Sequence, residues 1–388
     1  LGIAEYATAR FEEAEPHLEQ GVALAHRIGR PYLEFLGLAH QAALHVGWSF
    51  TQAAEHSRQA IELAERHGWT DEPAAGMAFA ILGGALTGQG RLEEAETWVQ
   101  RAERTVRADA EPAVAVTVHS VRGLLELVRG RDADALAALR AAERLAGLLA
   151  APHYLVPAAR SRQLQALVRL GETGHAGQAL AELGDQDRDR GEVRIATAVL
   201  QLAQGDPGAA TVALAPVLEG SAPVADRAQV WLVHSFLLEA IARDALGDPG
   251  AAERALERAL DVAEPDGVLF PFLLHPERGL LERHARHRTV HAALIAEILS
   301  LLAGRTPAPP PGGAPPPLEP LSNSEMRVLR YLPTNLSARE IANELYVSTN
   351  TVKTHMHHLY AKLGTHRRGE AVERARALGL LAPSARRR

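Results

Sequence analysis

The sequence predicts an all-α protein in which an α-solenoid is followed by a small domain of short helices. Hydrophobic residues make up 47% of the 388 residues, but aromatic residues only 4%. Alanine, leucine and valine must therefore build the interior, and chains rich in alanine and leucine favour helices. Two further observations support this class: a repeat with a period of about forty residues, and closely spaced helix caps near the C-terminus.

The repeat consists of a turn followed by a helix with small side chains. One alanine marks each copy, and in five copies it lies five residues after a turn glycine; the marks are Ala14, Ala54, Ala95, Ala135, Ala176, Ala210 and Ala252. Successive marks are 40, 41, 40, 41, 34 and 42 residues apart. A period near forty, with a turn and two helices per unit, predicts an α-solenoid. The pattern resembles tetratricopeptide-like repeats, although its unit is longer and is degenerate around residues 177–205.

A proline-rich stretch separates the repeats from the C-terminal helices. Residues 303–320 contain 8 of the 23 prolines, and such a stretch cannot form a helix. We expect a semi-rigid polyproline spacer; a binding segment for a proline-recognising domain is the alternative. The predicted organisation is therefore a repeat domain over residues 1–302, a linker over 303–320 and a C-terminal domain over 321–388.

The C-terminal domain is predicted from its helix caps. Two capping boxes place a hydroxyl three residues before a carboxylate; they are Ser322 with Glu325, and Ser337 with Glu340. A third helix is predicted after Ser348 and ends at Gly364, since glycine tolerates positive φ at a helix end. Short capped helices with tight turns predict a helix-turn-helix, which lays its second helix in the major groove of DNA.

The third helix has an apolar side and a polar side. At 100° per residue its apolar sector contains Val352, Met356, Leu359 and Leu363. The opposite side carries Asn350, Thr354, His357, His358 and Ala361, with Lys353 at its edge. Such a face can enter a groove about 12 Å wide and offer donors to base edges. A surface helix of an ordinary small bundle is the alternative interpretation.

Charge is distributed unevenly between the two parts. Residues 321–388 contain 12 Lys and Arg against 5 Asp and Glu, a formal charge of +7. The whole chain carries −6, which leaves −13 for residues 1–320. Both lysines of the chain, Lys353 and Lys362, lie in the predicted third helix. A basic module on an acidic body is expected when only that module meets a polyanion.

From Leu321 to Leu381 the chain resembles the LuxR-type helix-turn-helix of bacterial transcription regulators. The stretches that carry the resemblance are LSAREIANELYVSTNTVKTHMHHLYAKLG and RRGEAVERA. It implies four helices, of which the third enters the major groove and the fourth helps to pair two copies. By position it implies that Lys353, Thr354 and His357 face bases and that Thr351, Lys362 and Arg367 contact phosphate. The predicted DNA-binding set also includes the outward-facing Asn350 and His358.

Repeats followed by this domain resemble the C-terminal portion of the large ATP-binding, MalT-like LuxR regulators. In that group an N-terminal NTPase module precedes the repeats, and effectors or partner proteins act on the regions between. The chain begins at Leu1 and has no G-x-x-x-x-G-K-[ST] element. We therefore expect the C-terminal part of a longer protein, with no nucleotide site and no cofactor in these residues.

Composition argues against several other classes of protein. The chain has no cysteine, which excludes disulfides and thiolate catalysis and fits a reducing cytosol. No apolar window of eighteen residues and no signal peptide is recognised, so a cytoplasmic protein without membrane contact is expected. His284, His287 and His291 have helical spacing, but we expect no metal site because no H-E-x-x-H occurs and only Glu282 accompanies them. No catalytic context is recognised, so the chain is not expected to be an enzyme.

The sequence thus predicts a sequence-specific DNA-binding transcriptional regulator with the solenoid as sensor or interaction platform. Expected partners are double-stranded DNA, a second copy of the chain on two half-sites, a protein or small-molecule effector on the repeats, and RNA polymerase. On the fourth helix Ala371, Ala375 and Leu378 form one candidate pairing surface; a buried intramolecular face is the alternative. Two other functions remain open: a helical-repeat interaction scaffold, and a fragment of a signalling NTPase regulator whose nucleotide module lies upstream.

Overall fold

The computed structural model describes residues 1–8, 10–107, 111–150, 153–223, 229–286, 289–304, 325, 328–329, 331–334, 336–345, 347–363, 365 and 367–377. The chain divides into two compact units, Leu1–Arg305 and Thr306–Arg388. Throughout the described residues every regular element is helical, which confirms the predicted all-α class. Most of the predicted linker, residues 305–320, lies outside the described residues, so its exact bounds stay a prediction.

The first unit is built mainly from helical hairpins. Its helices, within the described ranges, are α1 (Gly2–Ala7), α2 (Phe11–Arg27), α3 (Pro31–His45), α4 (Phe50–His67), α5 (Pro73–Gly88), α6 (Leu92–Thr105), α7 (Pro112–Val128), α8 (Asp132–Ala146), α9 (Val156–Arg169), α10 (Thr173–Ala181), α11 (Asp185–Arg188), α12 (Gly191–Ala203), α13 (Pro207–Leu218), α14 (Gln229–Ala245), α15 (Pro249–Ala263), α16 (Phe270–Leu274), α17 (Arg278–Ala285) and α18 (Ala292–Leu302). A 3₁₀ helix, Glu264–Asp266, follows α15 directly. None of the described helices is both long and apolar enough to cross a membrane.

The seven alanine marks identify the seven hairpins. Each mark lies in the second helix of a pair, and all seven are buried. In five pairs a left-handed glycine with φ between 73° and 79° lies in the turn between the two helices. Because alanine has the smallest side chain above glycine, a buried alanine at this position lets the two helices of a hairpin pack closely. The predicted α-solenoid is thereby confirmed at the level of single residues.

The recurring GDPGAA stretches are helix starts. In both copies the glycine adopts a left-handed conformation and the following aspartate caps the next helix: Asp206 accepts from the backbone N–H of Ala209 at 2.8 Å, and Asp248 from that of Ala251 at 3.0 Å. The proline occupies the first helical turn, where its missing N–H costs nothing. These turns therefore have a structural explanation that involves no phosphate.

After α15 the chain leaves the repeat pattern and crosses back to earlier hairpins. We call residues 264–274 the return segment. Asp266 accepts hydrogen bonds from Ser49 Oγ (2.9 Å) and from the N–H groups of Phe50 and Thr51 (3.0 Å for Thr51). The N–H of Leu269 donates to the carbonyl of Gly88 at 2.8 Å. The first helices of the hairpins therefore line a shared interior rather than an open groove. Helix α5 shows this most clearly, because it is buried along its length apart from Pro73.

Two of the three histidines considered for a metal site face carboxylates of α15. His284 Nε2 hydrogen bonds to Glu257, while His291 places Nδ1 2.8 Å from Glu264 and Nε2 3.0 Å from Asp261. The expectation that only Glu282 accompanies these histidines was wrong, because their partners lie 27–30 residues earlier, in α15 and in the 3₁₀ helix that follows it. His287 lies outside the described residues, and within the described part of the chain no group of residues could hold a metal ion.

The contacts of His291 predict a pH-dependent contribution to stability. Ionised carboxylate oxygens only accept hydrogen bonds, so contacts at both ring nitrogens favour the protonated, charged imidazole. Burial acts to lower the pKa of His291, but the hydrogen bonds to Asp261 and Glu264 outweigh it and raise the pKa above the ordinary value. A raised pKa stabilises the fold below the unfolded-state pKa and loses that contribution as pH rises through the folded-state pKa.

We therefore expect His291→Gln to destabilise the chain more at pH 6 than at pH 9. The comparison is the difference in free energy of unfolding between parent and variant, measured by urea titration at both pH values. Taking the difference removes the opposing effect of other buried histidines, such as His153, whose pKa burial lowers to about 4. An equal difference at the two pH values would show that His291 is not held as a cation.

The second unit is a small helical domain. Residues 325 and 328–329 are helical, and three further helices follow in the described residues: α19 (Ala338–Leu345), α20 (Thr349–Leu363) and α21 (Arg368–Ala377). Their shared core contains Val328, Leu329, Leu332, Ile341, Ala342, Val352, Leu359, Leu363, Ala371, Val372 and Ala375. Helix α19 ends at Leu345 and α20 begins at Thr349, a short connection of the kind that a helix-turn-helix requires.

Candidate DNA-binding helix

The helix before the turn begins with the predicted capping box. The backbone N–H of Ser337 donates to Glu340 Oε2 at 2.7 Å, and the N–H of Glu340 donates to Ser337 Oγ at 3.4 Å. The Ser337 hydroxyl also donates to the carboxylate at 2.7 Å, and these hydrogen bonds hold the pKa of Glu340 below its ordinary value. This reciprocal arrangement fixes the start of α19 and thus the position of the turn that follows. The other predicted box cannot be compared, because Ser322 lies outside the described residues.

Helix α20 begins at a second serine cap. The N–H of Thr351 donates to Ser348 Oγ at 3.0 Å, and the two hydroxyl groups lie 2.7 Å apart. Thr351, which is predicted to contact phosphate, is half-buried and belongs to this cap. Its hydroxyl is therefore fixed at the N-terminus of α20, where the exposed ends of backbone N–H groups favour a negative charge.

The two sides of α20 differ in burial as the helical spacing predicts. Val352 and Leu359 are fully buried, Leu363 is 2% exposed and Met356 packs partly against the same core. On the opposite side Lys353, Thr354 and His358 are exposed. The side chains of Asn350 and His357 lie outside the described residues, so their predicted orientation is untested. The exposed side of α20 thus presents a cation, a hydroxyl and an imidazole on one short surface.

Lys362 is placed differently from the other basic residues of the predicted set. It is half-buried, and its Nζ donates to Glu325 Oε2 at 3.0 Å. The carboxylate of Glu325 is only 5% exposed, so Lys362 compensates a buried negative charge. The structure gives Lys362 a stabilising role between two helices; its contact with phosphate stays a prediction.

The adjacent arginines at the start of α21, Arg367 and Arg368, have separate roles. The Arg367 side chain is 85% exposed, and its nearest acidic partner, Glu370 Oε1, is 4.0 Å away, so it is available to a phosphate. Arg368 donates instead to four backbone carbonyls, those of Tyr331, Leu332, Thr334 and Leu336, at 2.6–3.1 Å. The guanidinium thereby fixes the loop before α19 to the start of α21. Sequence reasoning missed Arg368; the available signal was a cation at a helix N-terminus, where the helix dipole is unfavourable to it.

The predicted pairing surface on the fourth helix is not supported at two of its three residues. Ala371 and Ala375 are fully buried in the core of the domain. The alternative interpretation, an intramolecular face, is therefore correct for both. Leu378 lies outside the described residues. If two copies pair, they must use residues other than these two alanines.

Comparison with known proteins assigns both parts of the chain. Residues 1–283 match the family described as MalT-like TPR region, and residues 319–375 match the family described as bacterial regulatory proteins, luxR family. The Fimbriae Z protein of Salmonella typhimurium is 42% identical over 62 residues, which cover 16% of this chain and 30% of that protein. The Fimbriae Z protein of Escherichia coli K12 is 43% identical over 61 residues, covering 16% of this chain and 29% of that protein.

A second kind of relative is named as a transcriptional regulator. The HTH-type transcriptional regulator MalT of Yersinia pestis is 46% identical over 59 residues, which cover 15% of this chain and 6% of that protein. The chain therefore spans less than a third of the length of the curated relatives it matches. Because the repeat match extends over most of the chain and the helix-turn-helix match over its C-terminal domain, the chain belongs to the MalT-like TPR family and ends in a helix-turn-helix domain of the luxR family.

Proposed function

We propose that this chain binds double-stranded DNA sequence-specifically and regulates transcription, with α20 in the major groove. The observation that carries the proposal is the exposed side of α20: Lys353, Thr354 and His358 project from a helix whose opposite side is buried. The formal charge of +7 on residues 321–388 supplies the attraction to a polyanion. The luxR-family match supports the same role, which requires no catalytic step and no cofactor from these residues.

In this proposal the predicted DNA-binding residues fall into two groups, those that contact bases and those that contact phosphate. Lys353, Thr354 and His357 read base edges, together with Asn350 and His358, while Thr351, Arg367 and Lys362 contact phosphate. Phosphate contacts position the domain without reading sequence, whereas base contacts select the site. One small domain buries limited surface, so a homodimer on two half-sites supplies the affinity of a specific complex. Because bacterial DNA lies in the cytoplasm, so does the proposed site of action.

We further propose that the repeat domain is the sensor or interaction platform of the regulator. Helical repeats offer extended surfaces to a protein partner, and the interior bounded by the return segment offers a cavity to a small molecule. Binding of either effector, or contact with RNA polymerase, would change the activity of the C-terminal domain at a promoter. The match over residues 1–283 supports a regulatory role for this part of the chain.

Replacing Lys353 with alanine is expected to relax sequence preference. An exposed cation on the base-facing side of α20 contributes roughly 1–3 kcal/mol of discrimination when it pairs well with a base edge. The optimal site should therefore lose about tenfold or more in affinity, while non-optimal sites change little. Sites selected from a random DNA pool, followed by gel shifts over a range of salt concentrations, measure both quantities.

The matched control is Arg367→Ala, which removes one exposed cation outside α20. This variant should weaken binding to all sequences alike and reduce the dependence of affinity on salt by about one phosphate contact. If Lys353→Ala behaves like Arg367→Ala, Lys353 does not read bases. If the parent chain binds duplex DNA weakly even at low salt, the proposal as a whole is wrong and an interaction scaffold is favoured.

A further inference from the structure

The repeat domain contains a mostly apolar, partly open cavity where several hairpins meet the return segment. Its volume is about 90 Å³, enough for several waters or a small organic molecule. The apolar lining includes Val46, Phe50, Ile81, Val121, Trp231 and Phe270. These residues come from five hairpin elements and from α16, so the cavity depends on the closure of the solenoid onto itself.

Of the described residues that line this cavity, one is charged, Arg162 on α9. Among the described residues no hydrogen bond or salt bridge to its guanidinium is observed, and burial lowers its pKa to about 10, so it stays a cation at neutral pH. Nearby His234 cannot act as an anion, and its pKa lies well below the ordinary value because of burial and the neighbouring His275 and Arg162. Arg162 thus lacks a countercharge within the described structure.

The same helix shows how an arginine is normally compensated. Arg160, two residues earlier, donates to Glu143 at 2.9 Å and to Asp187 at 2.8 Å. In contrast, the described part of the lining has no aspartate or glutamate around Arg162. The hydroxyls of Thr117 and Ser120, which do line it, donate to carbonyls of their own helix. An uncompensated cation in an apolar site is costly, and an anion that enters the cavity would remove that cost.

We propose that the cavity binds a small organic monocarboxylate, with its carboxylate on the guanidinium of Arg162 and its apolar body against the aromatic and aliphatic walls. A single guanidinium matches a single carboxylate, which it can hold with two parallel hydrogen bonds. As far as the structure describes them, the walls offer too few polar groups for a sugar and no second cation for a phosphate. This inference rests on the proposed sensor role of the repeat domain and gives that role a ligand class.

Ligand binding in this cavity would be coupled to the closure of the solenoid. The cavity is bounded by α5, α7, α9 and α14 and by Phe270 of the return segment. A ligand that contacts all of these elements favours the closed arrangement. Its binding adds to the free energy of unfolding by an amount that grows with the logarithm of the ratio of ligand concentration to dissociation constant. The full chain should therefore melt at a higher temperature when the ligand is present.

The test is a set of carboxylates added to the purified full chain. Acetate, butyrate and benzoate are compared with butyramide and benzamide, which match the last two in shape but carry no charge. Calorimetry gives affinity and thermal unfolding gives stabilisation. Affinity should rise roughly fourfold for each methylene that the cavity accommodates, and the amides should bind at least about tenfold more weakly than their acids.

Two variants separate recognition from folding. Arg162→Met keeps an unbranched apolar side chain but removes the guanidinium. It should abolish carboxylate binding and leave the melting temperature unchanged or raised, because it removes a half-buried cation that has no countercharge among the described residues. Arg160→Met on the same helix should lose stability through its broken ion pairs yet retain carboxylate binding. If no carboxylate binds the parent chain, if amides bind as well as acids, or if Arg162→Met binds like the parent, the inference is wrong. Gel shifts on the same preparations show whether DNA binding persists, so failure here is distinguishable from failure of the proposed function.

Discussion

Replacing Arg368 with leucine is expected to destabilise the C-terminal domain by about 3 kcal/mol or more. The guanidinium donates to the carbonyls of four residues between Tyr331 and Leu336, and hydrogen bonds from a charged group contribute about 1.5–3 kcal/mol each before water replaces some of them. A domain of this size has a total stability of only a few kcal/mol. The loss would therefore unfold a large fraction of the domain and weaken DNA binding to every sequence.

Hydrogen exchange resolved along the chain measures this effect within the full-length protein. In Arg368→Leu, protection of α19, α20 and α21 should fall by two orders of magnitude or more, following from about 3 kcal/mol. All four tryptophans lie in the repeat domain, so their fluorescence shows whether that domain is intact. The control is Arg367→Leu, whose exposed side chain contributes little to stability. Equal protection in the two variants would show that Arg368 does not secure the loop.

Local rules were sufficient to predict the helix-turn-helix and its exposed side. The capping box at Ser337, the cap at Ser348 and the burial of Val352 and Leu359 all follow from spacings within one helix or one turn. The roles of Lys362 and Arg368 could not be predicted this way, because their partners lie 32–37 residues away in sequence. A spacing identifies neighbours on one helix but not the partner that tertiary packing brings to a charged side chain.

In the repeat domain, too, local contacts could be predicted from the sequence and long-range contacts could not. The alanine marks predicted the hairpins because each reports a contact between two adjacent helices. The return segment was not predicted, since Asp266 meets Phe50 across 216 residues and no periodic feature of the sequence joins them. The cavity around Arg162 depends on that closure. In a solenoid, sequence periodicity specifies nearest neighbours, whereas sites formed between distant repeats require the three-dimensional structure.

Replacing Asp266 with alanine is expected to destabilise the repeat domain by about 2–4 kcal/mol. Its carboxylate accepts from Ser49 Oγ and from the N–H groups of Phe50 and Thr51, which lie at the start of α4. The variant removes a charged cap from that helix and leaves backbone N–H groups without an acceptor. It also detaches the return segment from the second hairpin. Urea unfolding followed by tryptophan fluorescence measures the change, with Trp48 next to the affected helix start.

The matched control is Asp206→Ala, which removes a cap that acts only within its own helix. Asp206 accepts from Ala209 three residues later, so its loss should cost about 1 kcal/mol. If Asp266→Ala loses more unfolding free energy than Asp206→Ala, the difference is the stability that closure of the solenoid adds to helix capping alone. Because Phe270 of the return segment lines the cavity, the same variant should also weaken carboxylate binding although Asp266 is not among the lining residues. Equal costs for the two aspartates would mean that the return segment rests on the hairpins without stabilising them.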